Sequence, residues 1–541
     1  MTPRDYQLDC IIKTEHGFDE FDKLLGVLPT GGGKTIVFSH LAKRRWDAHQ
    51  ERTLILAHRD ELIWQAAEKL HQATGIEASV EKAEYEGSLT APVVVASIQT
   101  MQRRYQRWPK DHFGLVVCDE AHRVLSTQWQ EVLAYFESQV LGVTATPYRG
   151  DKKNLGRFFQ FTAFEYGLYN RGSIPGLIDM NPRWLSPITV KSIPLKIDLS
   201  QVGTSMDSDS GCNDFNKEEV ANVLEPYLDE IAVAIREHCA FRRMLCFLPL
   251  RSTSRKFVGA CIKAGLSARH VDGESDDRSE ILKQFGAFEF DLLSNAMLLT
   301  EGYDDPGIDG VCVLRPTKSQ NLYCQMIGRG TRLAPSKKDV MLFDPLWMHE
   351  KHDVCRPSCL IAETDIEAKI IDKIIQEKSA ALPAELAAEL PLIDLQSVFS
   401  DAAKQREEAL RKKLEENRRK KSKTISAEEF ALNHGEFRVA DYEPTMEWES
   451  ASVSEKQAKL LKRAKIDLST VRGRGHASQL LNIHFKNLKP RLAAPKAVAL
   501  MRRMPGLCAA IGIADLDNAT AAQAGRFFAE LKRRKEQPEL A

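Results

Sequence analysis

Short apolar runs that end in glycine or acidic residues recur along the chain, and they predict its strands. The run Phe113-Gly-Leu-Val-Val-Cys-Asp-Glu-Ala-His122 is rich in β-branched residues. It reads as a strand buried on both faces, which delivers Asp119 and Glu120 to its carboxyl end, where open α/β sheets bind ligands. A plain helix cap at Asp119 is the competing reading. Upstream, Leu24-Leu-Gly-Val-Leu28 is a second strand running into Pro-Thr-Gly-Gly-Gly-Lys-Thr35 and then the helix-like IVFSHLAKRRW. Met244-Leu-Cys-Phe-Leu-Pro249, His270-Val-Asp-Gly273 and Asp291-Leu-Leu-Ser-Asn-Ala-Met297 predict three more strands.

Elsewhere the pattern changes. Residues 200–216 (SQVGTSMDSDSGCNDFN) are rich in Ser, Asp and Gly and read as an exposed loop. From Asp365 to Lys423 the chain is helix-prone, with opposite charges at i,i+4 spacing and a basic end. That basic end suits either a solvated helical face or a DNA backbone. The final ninety or so residues carry a weak repeat, Glu455–Arg463 against Pro495–Arg503 and His476–Gln479 against Thr520–Gln523. It predicts two helical hairpins packed together, as an accessory DNA contact or a protein-docking module.

Composition narrows the class. At 541 residues the chain is too long for a single core, and 43% hydrophobic with 28% charged residues is a globular balance. Lys plus Arg equals Asp plus Glu at 75 each, so any polyanion site must be a local patch. Eleven scattered cysteines fit reduced thiols better than a disulfide framework. MTPRDYQLDC has no basic-then-apolar pattern, and no apolar run approaches the roughly 20 residues that span a bilayer. A cytoplasmic protein without membrane contact is expected.

The glycine-rich turn supplies the chemistry. Thr30, Gly31, Gly32 and Gly33 let backbone N–H groups crowd around phosphate oxygens, Lys34 reaches the outer phosphates and Thr35 holds Mg²⁺, although Leu28 occupies the place of the usual first glycine. Asp119 then completes the Mg²⁺ site and Glu120 positions water for hydrolysis. Arg329 and Arg332, three apart on one predicted helical face, suit a clamp on the transferred phosphate. His349, His352, Cys355 and Cys359 contain zinc-ligand types, but their compressed spacing around a proline makes zinc unexpected. Arg103-Arg-Tyr-Gln-Arg-Trp108 mixes basic and aromatic residues, which suits either nucleic acid or a basic surface.

Taken in order, LPTGGGKT, DEAH, Thr144-Ala-Thr-Pro147, TEGYDDP and QMIGRGTR resemble the superfamily 2 helicases, in the group of bacterial RadD, eukaryotic XPB and restriction-enzyme motor subunits. The resemblance covers residues 1–365. It implies an α/β fold of two tandem RecA-like parallel-sheet motor domains followed by a helical C-terminal region. The expected divisions are 1–165 for the ATP-binding domain, 166–365 for the second motor domain, 366–450 for a charged helical linker and 451–541 for an accessory domain. Further roles come from the resemblance alone. It places adenine recognition on Arg4 and Gln7, nucleotide contacts on Gly302 and Asp304, and catalysis on Gln325 beside Lys34, Asp119, Glu120 and the two arginines. It places coupling on His122, Thr144 and Thr146, and nucleic-acid contacts on Arg59, Ser97, Gln99 and Thr100, where a strand-to-helix turn with a cap is the competing reading of Ser97–Thr100.

The implied cofactors are ATP and Mg²⁺. The implied activity is an ATP-dependent DNA helicase or translocase, in DNA repair or recombination, with a protein partner for the helical tail. An RNA-dependent helicase, a restriction or defence motor subunit, and an ATP-gated clamp are the alternatives. Met326 departs from the His-Arg and Gln-Arg forms of RNA helicases, which favours DNA.

Overall fold

The computed structural model describes residues 2–531 apart from 59, 146–154, 172–173, 194, 196, 208–212, 240–241, 276, 297–298, 300–302, 304, 336, 346–353, 363–364, 381–391, 419–423, 435, 441, 487–494, 511–512, 514–526 and 529. Two seven-stranded sheets organise the larger of two compact units, Met1–Lys421 with Glu443–Ser452. The first sheet contains β1 (Lys23–Val27), β2 (Thr53–Ala57), β3 (Ser79–Glu81), β4 (Val93–Ser97), β5 (Leu115–Asp119), β6 (Gln139–Thr144) and β7 (Phe161–Glu165), in the order β3-β4-β2-β5-β6-β1-β7. Every pairing in it is parallel. Apolar side chains on both faces explain the continuous runs: β2 and β4 are buried at every position, with helices covering the sheet.

The second sheet begins with β8 (Ile188–Ile193). After the hairpin of β9 (Thr204–Met206) and β10 (Asn213–Phe215) come β11 (Met244–Phe247), β12 (Ala268–Val271), β13 (Leu292–Asn295), β14 (Gly310–Val313), β15 (Val340–Pro345) and β16 (Ile393–Asp394). Its order is β12-β13-β11-β14-β15-β8-β16, parallel except for the last pair. The architecture is therefore two tandem RecA-like domains.

Residues 200–216 are exposed at Thr204–Met206, as their composition predicts, but they include two short strands and two buried carboxylates. β9 and β10 pair antiparallel, and buried Asp207 and Asp214 bind lobe residues a hundred positions later. Asp207 accepts from Arg315 at 2.6 Å and pairs with Lys217 at 2.7 Å, while Asp214 accepts from Thr317 and the Lys318 amide. Asp207 and Asp214 depart from that exposure, which composition does not signal because their partners are remote in sequence.

The smaller unit comprises Ser422–Tyr442 and Val453–Ala541. Helix Glu455–Arg463, opened by a Ser454–Gln457 capping box, packs on helix Arg474–Lys486. This hairpin packs on the segment that precedes it in the chain. Helix Ala427–Asn433 packs against Arg474–Lys486, and Ile425 bridges to Ile466. Met501, Leu507, Cys508, Ile513 and Phe527 form a separate small core in the second repeat.

Candidate functional site

Between Val27 and Lys34 the chain makes the turn that its glycines permit. Gly31 and Gly33 have φ of 85° and 80°, the left-handed region that glycine enters without penalty. A Cβ on Gly33 would lie 2.4 Å from Nε2 of Gln7, so that position also demands close approach. Helix Lys34–His49 starts immediately afterwards. Among the described residues, the N–H groups of Gly33, Lys34 and Thr35 have no backbone acceptor, so three donors and a helix N-terminus face one point.

The amino-terminal residues hold this loop rather than leaving their polar groups free. Gln7 is buried, accepts from the Arg4 amide at 2.9 Å and donates to the Gly32 carbonyl at 3.2 Å. The Tyr6 hydroxyl donates to the same carbonyl at 2.7 Å. The Arg4 guanidinium lies 4.6 Å from the ring of Trp184. Neither Tyr6 nor Trp184 was expected from sequence; an aromatic so far downstream carries no motif of its own.

β5 brings Asp119 and Glu120 to the same edge of the sheet. Asp119 aligns with Val143, one position before Thr144, and the Thr144 carbonyl accepts the Leu28 amide at 3.0 Å. Thr144 is thus fully buried at the root of the phosphate loop. Glu120 has φ 60° and ψ 61°, a left-handed conformation that is strained for a non-glycine residue and is held by its surroundings. Burial would raise its pKa, but His122 beside it and the charges of Lys34 and Arg123 more than offset that and hold it down to about 2.

Helix Gln320–Gly328 carries the second lobe's contribution. Asn321, Gln325 and Gly328 fall at i, i+4 and i+7, one stripe, and that stripe faces the first lobe. The Asn321 amide lies 3.2 Å from the His122 ring, Gln325 Nε2 donates to Glu120 Oε1 at 3.0 Å, and Gly328 leaves no room for a Cβ beside Thr30. Asn321 was missed in the sequence, although its spacing from Gln325 was a usable signal.

The helix ends at Gly328, so Arg329 caps it and Arg332 lies on the following loop, not on a shared helical face. Both guanidinium groups donate to the Tyr303 carbonyl, at 2.7 and 3.3 Å. Lys337, also unforeseen, inserts its ammonium among the carbonyls of Pro306, Ile308, Gly330 and Arg332. Burial lowers its pKa to about 8.

These groups line one cavity of about 460 Å³, which includes Lys34, Thr35, Asp119, Glu120, Gln325, Arg329 and Arg332, with Arg4 and Gln7. Among the described residues, buried Thr30 Oγ1 has no hydrogen-bond partner, and Glu120 Oε2 has only the His122 Nδ1 contact at 3.4 Å. The free amides, the lysine and the hard oxygen donors Thr35 and Asp119 fit a nucleotide phosphate with Mg²⁺.

Other candidates have different placements. Ser97 is buried and caps helix Ile98–Arg104 through the Thr100 amide, Thr100 Oγ1 accepts the Ala83 amide, and Gln99 donates to the His58 carbonyl. Arg104 and Arg107 bind the fully buried Glu81, and Trp108 is core. Arg59, Thr146, Gly302 and Asp304 lie outside the described residues, as do His349 and His352. Among the described residues no cluster of His, Cys, Asp or Glu is fit to hold a metal, and no helix is long and apolar enough to cross a membrane.

Comparison with known proteins fits this geometry. Residues 1–149 match the family described as the res subunit of type III restriction enzymes, and residues 227–334 match the helicase conserved C-terminal domain. IRC3 of Saccharomyces cerevisiae, which bears the name of an ATP-dependent helicase, is 30% identical over 415 residues, 72% of this chain and 58% of that protein. The chain belongs to the superfamily 2 helicases. Irc3 of Schizosaccharomyces pombe, named as a mitochondrial ATP-dependent helicase, is 32% identical to this superfamily 2 member over 356 residues, 63% of this chain and 57% of that protein. That relative overturns the expectation of a cytoplasmic protein. The chain thus spans less than two thirds of either curated relative. A fragment of an HsdR subunit of a type I restriction enzyme from Vibrio vulnificus shares the fold at 22% identity, with TM-score 0.50 and 65% of each chain covered. The type ISP restriction-modification enzyme LlaBIII bound to DNA does so at 15% identity, with TM-score 0.51, over 94% of this chain and 46% of that one.

Proposed function

We propose that the chain is a nucleic-acid-dependent ATPase that couples hydrolysis to movement along DNA, as a helicase or translocase. The observation that carries this reading is the bridge from Gln325 to Glu120, because it makes the hydrolytic carboxylate a joint property of both lobes. Thr35 and Asp119 are the residues that would hold Mg²⁺, which supplies positive charge on the phosphate oxygens. Lys34 and the loop amides bind the phosphates. Glu120, ionised throughout the physiological range, accepts a hydrogen bond from water and orients it; so weak a base is suited to orientation rather than to storing a proton.

Arg329 and Arg332 neutralise charge on the transferred group from the opposite lobe. Loss of that charge removes the reason for the lobes to stay together, which turns hydrolysis into a change in lobe separation. Support for DNA comes from Met326 in the arginine motif and from Rad25 of Halobacterium salinarum, named as a DNA 3'-5' helicase, which is 31% identical over 156 residues. Repair or recombination is the setting we assign.

The test is ATP hydrolysis by purified protein alone and with single-stranded, duplex or forked DNA or RNA, with Glu120→Gln as the blank. Stimulation by DNA that vanishes in the variant supports the proposal. Stimulation by RNA alone overturns the substrate, and hydrolysis unaffected by Glu120→Gln overturns the site.

A further inference from the structure

The neutral total hides a strong asymmetry. Residues 422–442 and 453–541, the smaller unit, hold 20 Lys and Arg against 11 Asp and Glu, a net charge of +9 in a chain whose formal charge is zero. A net charge of that sign attracts polyanions to the unit.

The charge is also arranged. On helix Glu455–Arg463, Leu461 is buried toward helix Arg474–Lys486, while Lys456, Lys459, Lys462 and Arg463 are exposed. Lys456, Lys459 and Arg463 fall at i, i+3 and i+7, a stripe about 10 Å long by helical rise. Lys465 and Arg474 extend the exposed cations around the turn. Among the described residues none of these six forms an ion pair.

The frame beneath is fixed by neutral contacts. Gln457 donates to Ser478 Oγ at 2.9 Å, the Asp467 amide donates to the Ile425 carbonyl at 2.8 Å, and the Ala427 amide donates to Thr470 Oγ1 at 2.8 Å. A row of exposed cations, unpaired among the described residues, is therefore presented at helical spacing.

We infer that the exposed cationic face of helix Glu455–Arg463, continued through Lys465 and Arg474, binds the phosphate backbone of duplex DNA. Residues 455–474 contain no aromatic side chain, so the face has no platform for stacking unpaired bases and fits a nucleic acid whose bases are already stacked inside. The choice of DNA rests on the motor reading above; the recognition of a phosphate backbone does not. Contacts of this kind hold the duplex without reading sequence, and they give the motor lobes a second grip on the same substrate.

The experiment is salt titration of the full chain's binding to a fluorescent DNA duplex, without nucleotide. It compares wild type with K456A/K459A/R463A and with the charge-retaining K456R/K459R/R463K. Three lost phosphate contacts reduce the slope of log K against log salt by roughly 2.7, whereas the charge-retaining variant keeps the wild-type slope at unchanged thermal unfolding. A wild-type slope in the alanine variant overturns the inference, as does an equal fall in the charge-retaining one. Tighter binding to an RNA duplex of equal length overturns the assignment to DNA. The two proposals fail separately: wild-type protein that never hydrolyses ATP sinks the motor reading and leaves the slope test standing, whereas a wild-type slope in the alanine variant sinks the cationic face alone.

Discussion

The two large sheets have the same strand count and nearly the same parallel order, yet they present different groups to the shared cavity. In the first, the edge formed by the ends of β1 and β5 carries glycines in left-handed backbone, two carboxylates and amides that have no backbone acceptor among the described residues. In the second, the facing elements are a helix stripe of Asn321, Gln325 and Gly328 and a loop with two arginines, held by Lys337 among four carbonyls. On the proposed reading, one lobe holds phosphate and the other senses it. Equal folds thus divide the labour through loops and helix ends rather than through their cores.

The division predicts a graded set of losses. Arg329→Ala should lower kcat by about 10³ to 10⁵, with nucleotide affinity changed only a few fold, as stopped-flow binding beside steady-state hydrolysis would reveal. An affinity loss as large as the rate loss breaks the comparison. Glu120→Gln, on the holding lobe, should reduce hydrolysis by about 10² to 10⁴ while retaining nucleotide. The pH dependence has a definite sign. Because the folded pKa is about 2 and an unfolded glutamate lies near 4.3, the native ion contributes stability above about pH 4 that is lost as pH falls toward 2. The stability gap between wild type and Glu120→Gln should close over that window in acid-unfolding curves.

Gln325→Ala removes a hydrogen bond to a charged group, worth about 1.5 to 3 kcal/mol, so kcat should fall roughly 10- to 100-fold with the phosphate loop intact. The smallest effect belongs to Lys337→Met. Burial sets the folded pKa near 8 against about 10.4 for an unfolded lysine, so the unfolded chain binds more protons between those values and wild-type stability gains with rising pH there. Urea midpoints at pH 7.5 and 9.5 should lose that gain in the variant.

Legibility in the sequence followed how local each signal was. Leu24–Thr35 and Phe113–Glu120 carry their strand, turn and chemistry within a dozen residues, and they lie where their pattern placed them. Trp184 beside Arg4, and Asp207 beside Arg315, depend on contacts across a hundred residues or more, for which hydrophobic period has no signature. Arg332 shows a subtler limit: its spacing from Arg329 suits a helix, but the chain leaves the helix at Gly328. In the small unit the repeat predicts two hairpins, while the helix Ala427–Asn433 that covers the first of them lies before the repeat begins.

The most direct test of the divided site is a double-mutant cycle on ATP hydrolysis with Glu120→Gln and Gln325→Ala, in the presence of saturating duplex DNA. If the carboxylate works through the inter-lobe bridge, the double variant should be little slower than Glu120→Gln alone, because one mutation already removes what the other perturbs. Losses that simply multiply would mean that the two residues act independently, and would contradict a hydrolytic site shared between the lobes.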